Sequence, residues 1–494
     1  KIEKITCDAK QLYSWAFMRD VRIKGKVSDI MIAGYILNPS ANDYSPVRMA
    51  QEYGALCPEI SEENETALKA AALKGAWEKV IKQIEENDQL PLLYDIEMPL
   101  SKVLSSMEVT GFLVDRESIQ QYGAVLEEKI NSLVSEIYDL AGEEFNINSP
   151  KQLGTILFEK LGLPAKKKTK SGYSTNADVL EGLAPDYPIV SLILEYRTLA
   201  KLKSTYCDGL QKCIAPDGRI HSTLNQTETK TGRISSTEPN LQNIPVRTPV
   251  GRELRKFFIA KEGCVLVDAD YSQIELRVLS DIANDETMIS AFNNGDDIHT
   301  ITASQVFNMP VEAVTPLMRS RAKAVNFGIV YGIGAFSLAH DIGVTRAEAD
   351  KYIKGYLHHF SGVDSYMKNV IAKAKEDGYV QTLFKRRRYL PELAASNAMI
   401  RNFGERVARN MPIQGTAADI IKIAMVRVYD RLEKENLKSK LIMQIHDELI
   451  VEAPENEQTQ VQKIIREEME NACKMKVKLT ADVHCGKSWY DAKG

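Results

Sequence analysis

The chain of 494 residues sets 63 Lys and Arg against 67 Asp and Glu, for a formal charge of −4. That balance argues against a basic architectural nucleic-acid binder, while leaving room for one basic channel on an acidic body. Seven cysteines, an odd number with no CxxC spacing, argue against a disulfide framework or a zinc site and fit a reducing cytoplasm, and no apolar run is long enough to span a bilayer.

The chain opens on Lys1 rather than Met, without a signal peptide, and reads as a fragment or a processed product. Residues 1–95 read as mixed α/β, with an apolar element in "SDIMIAGYILN" and a helix by composition in "NETALKAAALKGAWEKVIKQIEEN". After Asp115, Ile119, Tyr122, Leu126, Ile130, Leu133, Ile137 and Leu140 keep steps of three and four, which predicts a long amphipathic helix. In "NSPKQLGTILFEKLGL", Ser149 is an N-cap and Pro150 a first helical residue. The lysine run in "AKKKTKSGYST" is either a solvated loop or a phosphate-contacting tip on a helical arm.

From about residue 204 strands and turns are expected. "GCVLVDADYS" predicts a buried strand ending in carboxylates, "QIELRVL" begins a helix, and 283–378 form a helical segment. A further helix, "NAMIRNFGERVARNMPIQGTAADIIKIAMVRVYDRLEKEN", is expected to be interrupted at Pro412 and Gly415. Strands in "KSKLIMQIHDELIVEAP" flank the polar knot His446-Asp447-Glu448.

Apolar strands rarely carry acids, because an unpaired buried carboxylate is costly. Here one strand ends in Asp268-Ala269-Asp270 and another meets Asp447-Glu448. Taken singly, each is a turn or a helix cap. Together they suggest a shared site for a hard cation such as Mg²⁺, and two ions would suit an in-line phosphoryl displacement. Arg319, Lys323, Phe327 and Tyr331 recur every fourth position, so two cations and two aromatics share one helical face. That face suits a polyphosphate and a base or sugar, with Gly328 and Gly332 allowing close approach; the bland alternative is a half-buried helix with a snorkelling Lys. Arg406, Asn410 and Gln414 repeat the same spacing, either as polar surface or as minor-groove donors indifferent to sequence.

The stretches "TGRISSTEPNLQNIPVR", "DADYSQIELR", "RAKAVNFGIVYG", "MPIQGTAADIIK" and "IHDELIVEA" resemble the A family of DNA polymerases from about residue 96 to the C-terminus, and more weakly through 1–95. The resemblance implies an α+β multidomain right hand: a palm built on an antiparallel sheet, helical fingers and thumb, and a truncated α/β exonuclease-like domain at the N-terminus. The implied boundaries are 1–95 for that domain, 96–203 for the thumb, 204–282 and 379–494 for the palm, and 283–378 for the fingers. By the same resemblance Asp270 and Asp447 hold two Mg²⁺ ions, with Mn²⁺ as a substitute, and Glu448 is an accessory acid. Asp268 lies outside the family's pair but on the same strand face as Asp270.

Arg319 and Lys323 would bind the phosphates of an incoming dNTP, with Lys323 also catalytic and His299 assisting. Phe327 would lie on the sugar, Tyr331 near the templating pair, and Gln273 and Glu275 in the nucleotide site, Glu275 filling the space of a ribose 2′-hydroxyl. Arg233, Asn240, Gln242, Asn243, Arg406, Asn410, Gln414 and His446 would contact primer–template DNA, as would Lys166, Lys167, Lys168 and Lys170 on the thumb tip. The stretch "FKRRRY" is either another backbone contact or a surface loop.

The implied function is template-directed addition of dNTPs to a primer 3′-hydroxyl, by a monomer in the bacterial cytoplasm, away from membranes. Proofreading is not expected. Asp8 matches one exonuclease carboxylate, the strand for the first two would precede residue 1, and "ETALKAAALKGAWEK" lacks the expected Tyr and Asp. Rival readings are a polymerase using RNA templates or ribonucleotides, a non-catalytic DNA-binding module, and a nuclease. Glu275 opposes ribonucleotide substrates, the retained Asp270 and Asp447 oppose the module, and the damaged N-terminal acid set opposes the nuclease.

Overall fold

The computed structural model describes residues 2–56, 65–165, 168–169, 172–244 and 249–493. At its centre is a four-stranded antiparallel sheet of β1 (Cys264–Tyr271), β2 (Lys440–Ile445), β3 (Glu448–Pro454) and β4 (Ala481–Gly486), in the order β2-β3-β1-β4. Its run of β-branched and apolar residues suits strands covered on both faces.

Alternation along β1 divides the core. Val265, Val267, Ala269 and Tyr271 join one apolar cluster, while Leu266 joins a second around Phe112, Phe258 and Trp489. Asp268 and Asp270 therefore share the face of Leu266. The first cluster is shared with α2 (Ile274–Ile282), α4 (Pro316–Val330), α5 (Ala398–Lys434) and α6 (Gln458–Glu470). The second is shared with α1 (Arg116–Ala141), the expected long amphipathic helix, capped by Asp115 on Ser118 N at 3.0 Å. Between α2 and α4 lies α3 (Ile298–Phe307), and a last turn, α7 (Trp489–Ala492), closes the chain against the second cluster.

Near the N-terminus two short parallel strands, Lys4–Thr6 and Val27–Asp29, precede helices packed in a cluster of their own. "SDIMIAGYILN" divides there: Asp29 ends a strand and caps the buried helix Ile30–Leu37 through Met31 N at 2.8 Å. Ser149 caps Gln152 N as expected.

Two expectations are corrected. Residues 204–213 are helical rather than strand and turn, because Leu202, Tyr206, Cys207 and Leu210 are buried at helical spacing. Helix α5 runs through Pro412 and Gly415 without a break. Burial among Met411, Ile413, Ala417 and Ile420 outweighs the one backbone hydrogen bond that Pro412 cannot donate. Gly415 is there for close packing, since a Cβ would stand 2.6 Å from Thr382 Cγ2 and 3.1 Å from the Thr231 carbonyl.

The N-terminal helices are tied to the rest by a buried ionic cluster. Lys422 Nζ donates to Glu97 at 2.7 Å, and Arg386 donates to Glu97 and to Asp419, the latter from Nε at 2.9 Å. Thr382 Oγ1 donates to Asp419 at 2.9 Å. Arg386, in the middle of "FKRRRY", thus points into the protein and is closed to DNA. Among the described residues, no helix is long and apolar enough to cross a membrane.

Candidate active site

The sheet brings the two acid clusters to one end. In the β1–β3 ladder Asp270 lies opposite Glu448 and Asp268 opposite Ile450. A two-residue turn, His446–Asp447, joins β2 to β3, with His446 at φ 51°. Tyr271 N donates to the Asp447 carbonyl at 3.1 Å, which holds Asp447 beside the end of β1.

Lys493 completes the cluster. Its ammonium donates to Asp270 Oδ2 at 3.0 Å and to Glu448 Oε2, while Trp489 Nε1 donates to Glu448 Oε1 at 2.6 Å. Burial raises the Asp268 carboxyl, and the Glu448 charge beside it adds to the shift. Glu448 is lowered despite burial, by neighbouring Asp268 and by the charge and hydrogen bonds of Lys493 and Trp489. Burial also raises Asp270, against the pull of Lys493, and raises Asp447 to about 7, with Glu275 adding to the shift.

This donor set fits a divalent cation. Asp270 and Asp447 are hard oxygen donors raised by lost hydration and neighbouring negative charge, a state that added positive charge relieves. Among the described residues, no group of three or more His, Cys, Asp or Glu converges to hold an ion unaided. Coordination would have to be completed by water and substrate oxygens, as suits Mg²⁺.

Helix α4 carries the cation–aromatic face. Thr315 caps it and Pro316 opens it. Arg319 and Lys323 are exposed, Phe327 is half-buried, and Tyr331 ends the helix. Lys323, Phe327 and Tyr331 line a cleft of about 1230 Å³ with Arg406 and Arg409 of α5. Arg319 Nε donates to Asp297 at 2.5 Å. His299 is buried beside this face, its ring 5.9 Å from that of Phe327, and loss of solvent lowers it to about 4, so it is neutral at pH 7. Glu275 joins the face to the acids' neighbourhood: it accepts from Arg233 Nη2 at 2.6 Å and from the Tyr331 hydroxyl at 2.9 Å.

A smaller cleft of about 250 Å³ gathers Arg233, Gln242, Asn243, His446 and Asp447. Asn240 caps Gln242 N at 3.0 Å, and Gln273 starts α2 in the left-handed region at φ 47°, accepting from Ser272 Oγ at 2.8 Å. On α5, Arg406 faces the large cleft, Asn410 Nδ2 donates to the Val330 carbonyl at 3.4 Å, and Gln414 follows one turn on. Lys166, Lys167 and Lys170 lie outside the described residues, and only the backbone of Lys168, in the strand Lys168–Thr169, lies within them.

The glycines at the end of α4 also have an internal role. Gly328 is buried, and a Cβ there would strike Ile333 of its own chain. Gly332 takes φ +66°, and a Cβ would meet Arg406 Cγ at 3.4 Å. Gly328 thus allows close internal packing and Gly332 a turn, and both also line the large cleft. Sequence reasoning also missed Lys493, Trp489 and Asn326. The first two stand in a C-terminal stretch with no pattern of its own, and Asn326 is hidden between the residues of the more conspicuous face. The lone polar side chain among buried Ala322, Val325 and Ile329 was the available signal for Asn326.

Comparison with known proteins identifies the family. The model of the family described as DNA polymerase family A matches residues 116–491. DNA polymerase I of Caldicellulosiruptor bescii is 47% identical over 491 residues, covering 99% of this chain and 58% of that protein. DNA polymerase I of Bacillus subtilis is 47% identical over 511 residues, with the same coverage, so the chain spans little more than half the length of these relatives. Among solved structures, the POL domain of Pol1 from M. smegmatis, in complex with DNA primer-template and dNTP, superimposes with a TM-score of 0.93 at 39% identity, covering 100% of this chain and 87% of that one.

Proposed function

The chain belongs to DNA polymerase family A, and from that premise we propose that it is a template-directed DNA polymerase that extends a primer 3′-hydroxyl with dNTPs. The observation that carries this reading is the meeting of Asp270 and Asp447 at one sheet end, linked through Glu275 to the Lys323–Phe327–Tyr331 face. In the reaction the 3′-oxygen bonds to the α-phosphorus, the bond to the pyrophosphate leaving group breaks, and the hydroxyl proton is lost. Asp270 and Asp447 would hold divalent cations, two Mg²⁺ with Mn²⁺ as a substitute, which supply neutralisation of charge at the transferred phosphoryl group.

The protein's part is positioning. Lys323 and Arg319 take the triphosphate, with Arg319 exchanging its Asp297 partner for a phosphate oxygen. His299 donates to the same phosphates. Phe327 supports the sugar, and Tyr331 stands at the templating pair. Glu275, pinned by Arg233 and Tyr331, leaves no room for a 2′-hydroxyl. Arg406, Asn410 and Gln414 meet the minor groove of the new duplex, and Arg233, Asn240, Gln242, Asn243 and His446 hold primer and template.

On this reading, α3 and α4 belong to the fingers, the sheet and α5 to the palm, and α1 to the thumb. The N-terminal unit serves as a platform without proofreading. In support, Asp8 is spent capping Gln11 N at 2.8 Å, and Asp29 is spent on the backbone of Ala9 and Met31. The enzyme would act in the cytoplasm as a monomer. The test is extension of a recessed primer with four dNTPs and Mg²⁺. Products should follow the template, ribonucleotides should fail, and Glu275→Ala should relax that exclusion by at least about tenfold. Products that ignore the template would refute the reading.

A further inference from the structure

Asn326 is fully buried on the inward face of α4, among apolar neighbours, where a polar group needs a partner. It has two. Thr302 Oγ1 donates to Asn326 Oδ1 at 3.1 Å, and Asn326 Nδ2 stands 2.9 Å from His299 Nδ1. Thr302 and His299 sit three apart on α3, so both reach across to the same side chain. All three are almost entirely shielded from solvent.

The amide orientation in the structure sets the role of the imidazole. With Asn326 Oδ1 turned to the Thr302 hydroxyl, the amide nitrogen meets the ring, and in this orientation the ring nitrogen facing it accepts. The single proton of neutral His299 is then on Nε2. Among the described residues the acid acting on the ring, Asp297, is already engaged by Arg319 Nε, Thr300 Oγ1 and His299 N. Arg319 and Lys323, on the facing helix, are the other charges near the ring, and they oppose a positive imidazole. Burial and these cations hold His299 down to about 4.

We propose that Asn326, itself oriented by Thr302, is the positioning residue that keeps His299 as a neutral Nε2–H donor to the phosphates of the incoming nucleotide. The inference rests on the polymerase reading for the identity of the ligand, but the tautomer is a property of the free protein. A neutral donor makes nucleotide binding insensitive to pH across the neutral range, whereas an acid behind the ring would turn it into a titrating cation.

The experiment has two arms. In the first, ¹⁵N-histidine-labelled protein without substrate is followed by long-range ¹H–¹⁵N correlation, with His299 assigned by its loss in His299→Gln. The wild-type ring should show the Nε2–H pattern and no titration between about pH 6 and 8, and Asn326→Asp should shift it to the Nδ1–H or doubly protonated form. In the second arm, primer extension gives the dNTP KM and kcat.

Asn326→Leu, close in volume, should raise KM about tenfold with kcat changed far less. Asn326→Asp should bind dNTP almost normally near pH 6 and lose affinity as pH rises. Both effects should vanish in a His299→Ala background. An Nδ1–H or titrating wild-type ring would overturn the proposal, as would an Asn326→Leu effect that persists without His299. A wild type that extends no primer would instead refute the polymerase reading, and the spectroscopic arm would still report the tautomer.

Discussion

Replacing Lys422 with Met tests how α5 is anchored to the N-terminal helices. Glu97, Asp419, Arg386 and Lys422 form a buried set with two charges of each sign, all within 1% of full burial. Lys422 and Arg386 hold Glu97 down to about 2, against the desolvation that would raise it. Lys422→Met keeps the volume and removes one ammonium 2.7 Å from Glu97. The set then carries a net negative charge out of reach of water, and breaking a buried pair on one side costs about 3–5 kcal/mol.

Adding Glu97→Gln restores neutrality while keeping an acceptor for Arg386, and should recover about 2 kcal/mol of that loss. Urea unfolding of wild type, single and double variants measures both steps, with hydrogen exchange along α5 locating the loss. A single variant within about 1 kcal/mol of wild type, or a double variant less stable than the single, would refute the charge-balance argument.

Two further predictions concern the acids and their C-terminal partner. Asp447 sits at about 7 in the folded protein, above its ordinary value of 3.8, so the folded state holds the extra proton between those values and wild-type stability falls as pH rises through that window. In EDTA, Asp447→Asn should therefore be more stable than wild type by about 2 kcal/mol at pH 8 and equal to it near pH 4; calorimetry showing the same difference at both pH values would contradict the assignment. Gly486→Ala would drive a Cβ to 2.5 Å from Asp491 Cβ and 2.6 Å from Ala492 N, undocking the turn that carries Trp489 and Lys493 toward Glu448. Trp489 fluorescence should shift toward that of an exposed indole, and extension rate should fall at least about tenfold; unchanged fluorescence would show that the turn tolerates the methyl.

Much of this site was legible because its signals are local. Period-two alternation placed Asp268 and Asp270 on one strand face, and steps of four placed Lys323, Phe327 and Tyr331 on one helix face. What stayed hidden depends on contacts between distant segments. Arg386 read as part of a surface loop or a DNA contact, and Lys422 carried no signal of its own, until the fold brings Glu97 to both, from 289 and 325 positions away. Pro412 read as a break because local propensity cannot see the apolar neighbours that hold α5 continuous. The packing role of Gly328 was not legible because its neighbour, Ile333, folds back past the end of the helix.

The central claim meets its most direct test in one gel. Wild type and Asp447→Ala are given a recessed duplex, four dNTPs and Mg²⁺, with a second duplex whose primer ends in a mispair. The account predicts template-directed extension by wild type, loss of at least about a thousandfold in Asp447→Ala, and no trimming of the mispaired end by either protein. Extension that survives Asp447→Ala would contradict the assignment of the acids, and removal of the mispaired nucleotide would contradict the reading of the N-terminal unit as a platform.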